Sequence, residues 1–170
     1  CFVDEPDRDG YRNRSFNLSL SHTFGERFEA GLNLLDSQGR SEYDNPFGRF
    51  DPVTFDSFGQ KPYTDFSVSS LGSYFDAQVT DAWHSRLELG HSENRDDKRD
   101  KLSSERSVFN TYRDQVTWQN DLVLNERNSL LAGADWYQDR VHASTDFTQD
   151  SRWNGAVFIQ HRYAGEGFAT

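Results

Sequence analysis

The sequence predicts an all-β protein, an antiparallel transmembrane β-barrel segment of about seven strands and part of an eighth. Three observations lead to this prediction. Apolar and polar residues alternate with a period of two through most of the chain, which is typical of half-buried strands. The connections between the alternating segments are short and long in turn. Aromatic residues reach 15% of the 170 residues and gather near the predicted strand ends, as in the interfacial girdles of membrane barrels.

The clearest strand pair is the hairpin of residues 115–139. Its two arms alternate apolar and polar residues on either side of a break at 125–128. Each arm is about ten residues long, whereas strands of soluble sheets usually have about five or six. We predict that the apolar stripe of this hairpin faces lipid: Val116, Trp118, Leu122, Leu124, Leu130, Ala132, Ala134 and Trp136.

Two strands precede this hairpin near the start of the chain. The first begins at Tyr11 and the second follows a short turn at 25–27. Each places its apolar residues on one face with a period of two. These residues are Phe16, Leu18, Leu20 and Phe24 in the first strand, and Phe28, Ala30, Leu32 and Leu34 in the second.

The third predicted strand, at about 63–79, changes phase along its length. Phe66 and Val68 share one phase, whereas Leu71 and Phe75 share the other. A β-bulge near residues 69–70 would bring all of them to one face, because a bulge inserts one extra residue. A fourth strand begins at Trp83, and a seventh carries period-two apolar residues after a third polar loop.

The connections separate into two classes. Short turns are predicted at 25–27, 80–81, 125–128 and 164–167, and long loops at 36–62, 92–106 and 143–151. The second long loop contains the charged run 95–100, which we interpret as a solvated loop tip. Outer-membrane barrels have short periplasmic turns and long extracellular loops, so the alternation favours such a barrel over its alternative, a soluble β-sandwich.

Composition excludes some classes of protein. The chain has 28 acidic against 18 basic side chains, which argues against a nucleic-acid partner. No run of 18 apolar residues is present, so no transmembrane helix is predicted. His84 and His91 are an odd number of residues apart on one predicted strand and should face opposite sides. Without a catalytic constellation, we predict that the chain is not an enzyme, although an outer-membrane hydrolase is the alternative.

We assign residues 1–170 to one partial outer-membrane β-barrel domain. Bacterial single-chain barrels have an even number of strands, at least eight, so we expect a slice of a larger barrel. A small passive, porin-like barrel is the alternative.

The acidic start of the chain is a candidate metal site. Glu5, Asp7 and Asp9 are spaced two apart and lead to Gly10. Alternate carboxylates before a glycine bend can direct oxygen ligands at one Ca²⁺ ion, which takes six to eight oxygens. The spacing does not match an EF-hand. A solvated acidic loop is the alternative interpretation.

Several local patterns together resemble a known family. They are Asp7-Arg8-Asp9-Gly10-Tyr11, Tyr43-Asp44-Asn45, Thr80-Asp81-Ala82-Trp83, Val116-Thr117-Trp118-Gln119-Asn120 and the segment 131–138. From about Asp7 to the end, the chain resembles the barrel of TonB-dependent outer-membrane transporters, and among them it is most similar to cobalamin transporters. In such a barrel of 22 strands it would cover the early-middle strands, without the plug domain and without the C-terminal strands.

This resemblance implies a receptor that takes up cobalamin or another corrinoid across the cell outer membrane. It further implies contact with outer-membrane lipid and lipopolysaccharide, and energy from the TonB system through the missing plug. Siderophores and haem are alternative substrates. Extracellular-loop residues would bind Ca²⁺ and order the substrate-binding loops. The implied metal ligands are Asp7, Asp9, Tyr43, Asp44 and Asp56, and the implied substrate contacts are Asn45 and Ser107.

Overall fold

A computed structural model describes residues 9–43, 49–50, 52–55, 57–58, 60–165 and 168–169. These residues contain ten strands and no helix long and apolar enough to cross a membrane. The strands are β1 Tyr11–Phe24, β2 Phe28–Glu42, β3 Arg49–Phe50, β4 Ser57–Phe58, β5 Pro62–Thr80, β6 Trp83–Asp100, β7 Arg106–Asn125, β8 Asn128–Ala143, β9 Ser151–Gly165 and β10 Phe168–Ala169.

The predicted all-β antiparallel fold is confirmed. Eight strands form one sheet in the order β1-β2-β5-β6-β7-β8-β9-β10, so each strand pairs with its neighbours along the chain, apart from the small β3-β4 hairpin between β2 and β5. Every pairing is antiparallel. Within the described residues β1 does not pair with β10, so the sheet is open there.

The register gives the sheet two chemically different faces. We call them the apolar face and the polar face. One continuous row on the apolar face is His22, Ala30, Phe75, Leu87, Trp118, Ala134 and Val157. The neighbouring row on the polar face is Ser21, Gly31, Tyr74, Glu88, Thr117, Asp135 and Ala156.

The period-two faces predicted for β1, β2, β7 and β8 agree with these rows. Cross-strand partners lie on the same side of a sheet, so the pairing of Trp118 with Ala134 and of Val116 with Trp136 places the hairpin's apolar stripe on one face. Leu124 is the exception. It lies where the register shifts between Val123 and Asn125, beside the turn at 126–127.

The apolar residues occupy the half of the sheet near the short turns. The strands from β1 to β9 that build the main sheet are 14 to 20 residues long, longer than the 9–11 residues of a typical membrane-crossing strand. Their other half carries charged residues even on the apolar face, for instance Arg14, Arg40, Asp65, Arg95 and Asp97. We call this half of the apolar face the charged collar.

Two predicted loop boundaries were wrong. The second long loop is only residues 101–105, because β6 continues to Asp100 and includes the charged run. Its residues pair with both β5 and β7, so they are strand and not loop tip. The first long connection is residues 43–61, since β2 continues to Glu42 and β5 begins at Pro62.

The predicted β-bulge near residues 69–70 was also wrong. Ser69 and Ser70 pair in regular register with both β2 and β6. The register of β5 instead shifts between Gln78 and Thr80, next to the turn at 81–82. Phe66 therefore lies on the polar face, where its ring stacks on Tyr11 with the centroids 6.1 Å apart.

Three glycines of the polar face lie directly opposite aromatic residues. The register pairs Gly31 with Tyr74, Gly39 with Phe66, and Gly133 with Phe158. At each glycine the space that a Cβ would need is taken by the partner's ring. Each ring therefore lies across a glycine and supplies the packing contacts that the glycine, without a side chain, cannot make.

Candidate functional site

A groove lies at the long-loop end of the polar face. It has a volume of about 580 Å³ and is lined by residues of β5 to β9 and by the β8–β9 loop. Its size is in the range of small-molecule sites. Polar-face residues that line it are Ser92, Asn94, Thr111, Arg113, Asp139 and Arg152.

A two-arginine cluster forms one wall of this groove. Asp139 accepts a bidentate pair of hydrogen bonds from Arg113, at 2.6 and 2.9 Å, and a third bond of 3.0 Å from Arg152. The register explains the cluster, because Asp139 is opposite Arg113 on one side and Arg152 on the other. Two guanidinium groups share one carboxylate, so the cluster has a net positive charge.

An aromatic residue supports this cluster. The Arg113 guanidinium carbon is 4.7 Å from the centroid of the Tyr137 ring, within the range of a cation–π contact. The Tyr137 hydroxyl accepts a hydrogen bond of 3.1 Å from Asn154. Tyr137 lies on the polar face, in register with Asn154.

The β8–β9 loop folds against the end of β7. The Ser144 amide donates to the Val108 carbonyl at 2.9 Å, and the Val108 amide donates to the Ser144 hydroxyl at 2.8 Å. The Phe147 ring meets Phe109 edge to face at 6.3 Å. Phe109 is on the polar face, so this loop is held over the same side of the sheet as the groove.

A backbone hydrogen bond and an ion pair join three parts of the chain near the start of β1. The Glu42 amide donates to the Gly10 carbonyl at 2.8 Å, and Lys101 in the β6–β7 loop contacts the Glu42 carboxylate at 2.6 Å. The hydrogen bond from Lys101 lowers the pKa of Glu42 below its ordinary value. An ion pair therefore joins the end of β2 to a loop two strands away in the sheet.

Two of the predicted calcium ligands lie within the described residues, at the start of β1 and the end of β2. Asp9 and Tyr43 flank the Gly10–Glu42 backbone contact, so both lie at the same end of the β1–β2 pair. Carboxylate and hydroxyl oxygens suit Ca²⁺. Within the part of the chain that the structure describes, no group of three acidic, histidine or cysteine side chains is arranged to hold a metal ion. Asp7, Asp44 and Asp56 lie outside the described residues.

The structure describes one of the two predicted substrate contacts. Ser107 lies on the polar face of β7, opposite Lys98. Between it and Tyr43 the sheet advances by three strands, a separation of about 14 Å along the sheet at the usual strand spacing. Ser107 is therefore not beside the Asp9–Tyr43 corner. Asn45 lies outside the described residues.

The histidines lie on opposite faces, as predicted. His84 is on the polar face, 2.5 Å from Asp76 and 3.7 Å from Asp121. His91 is on the apolar face within the charged collar, 2.6 Å from Asp114. Each of these two histidines therefore lies within ion-pair distance of a carboxylate on a neighbouring strand.

Sequence reasoning missed Arg113, Asp139 and Arg152. A signal for the first pair was available, because the turn at 126–127 fixes the register of β7 on β8 and so sets Arg113 opposite Asp139. The contact of Arg152 depends on the length of the β8–β9 loop and had no equivalent signal. No protein-family model matches this sequence.

Proposed function

We propose that this chain is part of the β-barrel of a TonB-dependent outer-membrane receptor for cobalamin or a related corrinoid. The chain then acts in capture and passage of a scarce solute and not as an enzyme. The TonB system would supply energy through a plug domain. The observation that carries the proposal is the combination of short turns at one end of the sheet, longer connections at the other, and one apolar face on long antiparallel strands.

Chemical arguments support a membrane location for this sheet. Large apolar side chains are exposed on the apolar face, including Trp118 at 49% and Val157 at 86%. Exposed apolar surface of this extent needs a nonaqueous covering. The polar face offers hydrogen-bonding groups at the same height, as the lumen of an outer-membrane barrel does.

The long-loop end supplies the solute-binding groups in this proposal. The groove beside Arg113, Asp139 and Arg152 combines these charged side chains with apolar lining surface and is of suitable size for part of a large solute. Ca²⁺ held by Asp7, Asp9, Tyr43, Asp44 and Asp56 would join the first long connection to the start of β1. The metal would supply charge that keeps this connection in one position.

The test measures cobalamin binding to the full-length protein in outer membranes, with and without Ca²⁺. Exchange of Asp7, Asp9 and Asp44 together for asparagine should abolish the Ca²⁺ dependence, because amides are weaker ligands than carboxylates. Glu126, in a short turn at the opposite end, provides a matched acidic control. Unchanged Ca²⁺ dependence in the triple variant would remove the proposed role of calcium.

Two alternatives make different predictions. A siderophore or haem receptor would show the same membrane location but no corrinoid binding. A small passive barrel would fold from the 170 residues alone in detergent and show heat-modifiable gel mobility, without a TonB requirement. Measured uptake in cells with and without TonB therefore separates the passive barrel from both receptors.

A further inference from the structure

Arg152 lines the groove on the polar face and has hydrogen-bonding groups that its neighbours do not use. It donates one hydrogen bond of 3.0 Å from Nε to Asp139, and the structure gives it no other among the described residues. Its side chain is 73% exposed, whereas that of Asp139 is 22% exposed. Both terminal nitrogens of Arg152 are therefore available to a ligand in the groove.

Arg113 supplies a second, more firmly held guanidinium group. It donates to Asp139 from Nε and from one terminal nitrogen, at 2.6 and 2.9 Å, and leaves its other terminal nitrogen unused by that carboxylate. The Tyr137 ring supports it from one side. Two guanidinium groups share one carboxylate, so the cluster complements a ligand group with a single negative charge.

The position of Arg152 is set by the end of the β8–β9 loop. The Val141 amide donates to the Asp150 carbonyl at 2.7 Å, and β9 begins at the next residue, Ser151. The register then places Arg152 opposite Asp139 on the polar face. The backbone therefore fixes where this side chain enters the groove, although the side chain itself is exposed.

The other charged residues that line the groove are arranged differently. Glu93 and Arg140 belong to the opposite face of the sheet, where they pair with Arg95 and Asp114 respectively. Asp150, in the β8–β9 loop, is a carboxylate at the rim of the groove. A negative ligand group should therefore be attracted by the two-arginine cluster and repelled by Asp150.

The available donors favour a phosphodiester among anionic groups. They belong to two separate guanidinium groups, Arg113 and Arg152, and so approach a ligand from two directions. A phosphodiester has one negative charge and two unesterified oxygens on a tetrahedral centre, and arginine binds such oxygens in a fork. A phosphomonoester carries nearly two charges at neutral pH, more than this cluster balances. Val68 and Val141 on the polar face add apolar contact for the organic part of the ligand.

We propose that the groove recognises a phosphodiester group of the solute through Arg152 and Arg113. Asp139 is a positioning residue that holds the two guanidinium groups side by side. The inference rests on the proposed function and adds to it a chemical basis for selecting one corrinoid over another. Cobalamin carries one phosphodiester, in its nucleotide side arm, whereas cobinamide lacks that arm.

The test titrates cyanocobalamin and dicyanocobinamide into the full-length protein in mild detergent with Ca²⁺, by calorimetry. Arg152→Gln should weaken cobalamin binding by about tenfold, which corresponds to about 1.4 kcal/mol and to one hydrogen bond to a charged group. The same variant should leave cobinamide binding unchanged. Arg162→Gln provides a matched control, because Arg162 is on the polar face of the same strand near its other end, and it should leave both affinities unchanged.

Two further variants separate charge from shape. Arg152→Lys should have a cobalamin affinity between those of the wild type and Arg152→Gln, because lysine keeps the charge but not the planar fork. Asp150→Asn should strengthen cobalamin binding by about twofold, since it removes a repelling charge at an exposed site, and should not affect cobinamide. Weaker cobalamin binding by Asp150→Asn would contradict an anionic ligand group in this groove.

The two hypotheses fail in different ways. If the wild-type protein binds neither corrinoid, the proposed function fails and the phosphodiester site fails with it. If the wild type binds both corrinoids with equal affinity, only the phosphodiester site fails. Equal losses for both corrinoids in Arg152→Gln would likewise overturn the site and leave Arg152 with a structural role. Heat-modifiable gel mobility of every variant confirms that the comparison is between folded proteins.

Discussion

Replacement of Gly133 by valine tests whether the ring-over-glycine contacts contribute to the stability of the sheet. An ideal Cβ at Gly133 would lie 2.6 Å from the Trp118 carbonyl oxygen and still closer to the Phe158 ring. Real Cβ atoms essentially never approach a heavy atom closer than 3.0 Å. The carbonyl belongs to the β7–β8 pairing and has little room to move, so the ring must leave its position.

The size of the effect follows from the packing that is lost. A phenylalanine buries at least about 150 Å² when packed, and loss of about 60 Å² of it costs about 1.5 kcal/mol at 25 cal/mol per Å². Distortion of the neighbouring strand adds about 1 kcal/mol, as in other overpacked sites. The higher strand propensity of valine returns up to about 1 kcal/mol. We expect Gly133→Val to destabilise the protein by about 2 kcal/mol.

Gly72 provides a matched control on the same face of the sheet. A Cβ at Gly72 would meet no atom within 4 Å, so Gly72→Val should be neutral or stabilising. The assay is urea unfolding of the full-length protein, reinserted in lipid vesicles and followed by tryptophan fluorescence. Equal unfolding free energies for the two variants would refute the contribution of the ring-over-glycine contact.

Two further predictions concern the charged collar and the apolar face. Hydrogen bonds from Arg99 and Arg106 lower the pKa of Asp97 to about 2. A lowered pKa stabilises the folded state above the ordinary value near 3.8, and this stability is lost as the pH falls towards 2. Because both arginines are about half exposed, Asp97→Asn should cost only about 1 kcal/mol at pH 7, and its difference from wild type in urea titrations should vanish near pH 2. Ala134→Arg on the apolar face should lower the free energy of unfolding in vesicles by about 2–4 kcal/mol. Thr117→Arg, on the polar face between Glu88 and Asp135, should be tolerated. Equal losses in the two variants would contradict a lipid-facing Ala134.

The strands were predictable in the half of the sheet where one face is apolar. In β7 and β8 the alternation around Trp118 and Ala134 has a single solution, because a shift of one residue would exchange the two faces. The same reasoning failed in β5, since it required every apolar residue to share a face. Phe66 lies on the polar face because Tyr11 and the open space over Gly39 provide apolar contact there.

The end of a strand was harder to predict than its beginning. Residues 95–100 have charges in both phases, so hydropathy gives no signal for a strand. They are nevertheless held in β6, because β5 and β7 supply backbone partners on both sides. The candidate groove has the same origin: Asp139 and Arg152 meet across two strands whose alignment depends on a loop. The faces are local properties of the sequence, but the clusters depend on register between strands.

The pairing of a ring with a glycine has a geometric consequence for a curved wall. When a sheet bends, side chains on its concave side are crowded together and those on its convex side are spread apart. Gly31, Gly39 and Gly133 remove one side chain from each of three crowded positions, and the opposite ring uses the vacated space. Bending towards the polar face therefore requires less compression at these three places than at any pair of full-sized residues. We therefore expect the sheet to bend towards its polar face most easily at these three glycines, where the opposite ring fills the space of the missing side chain.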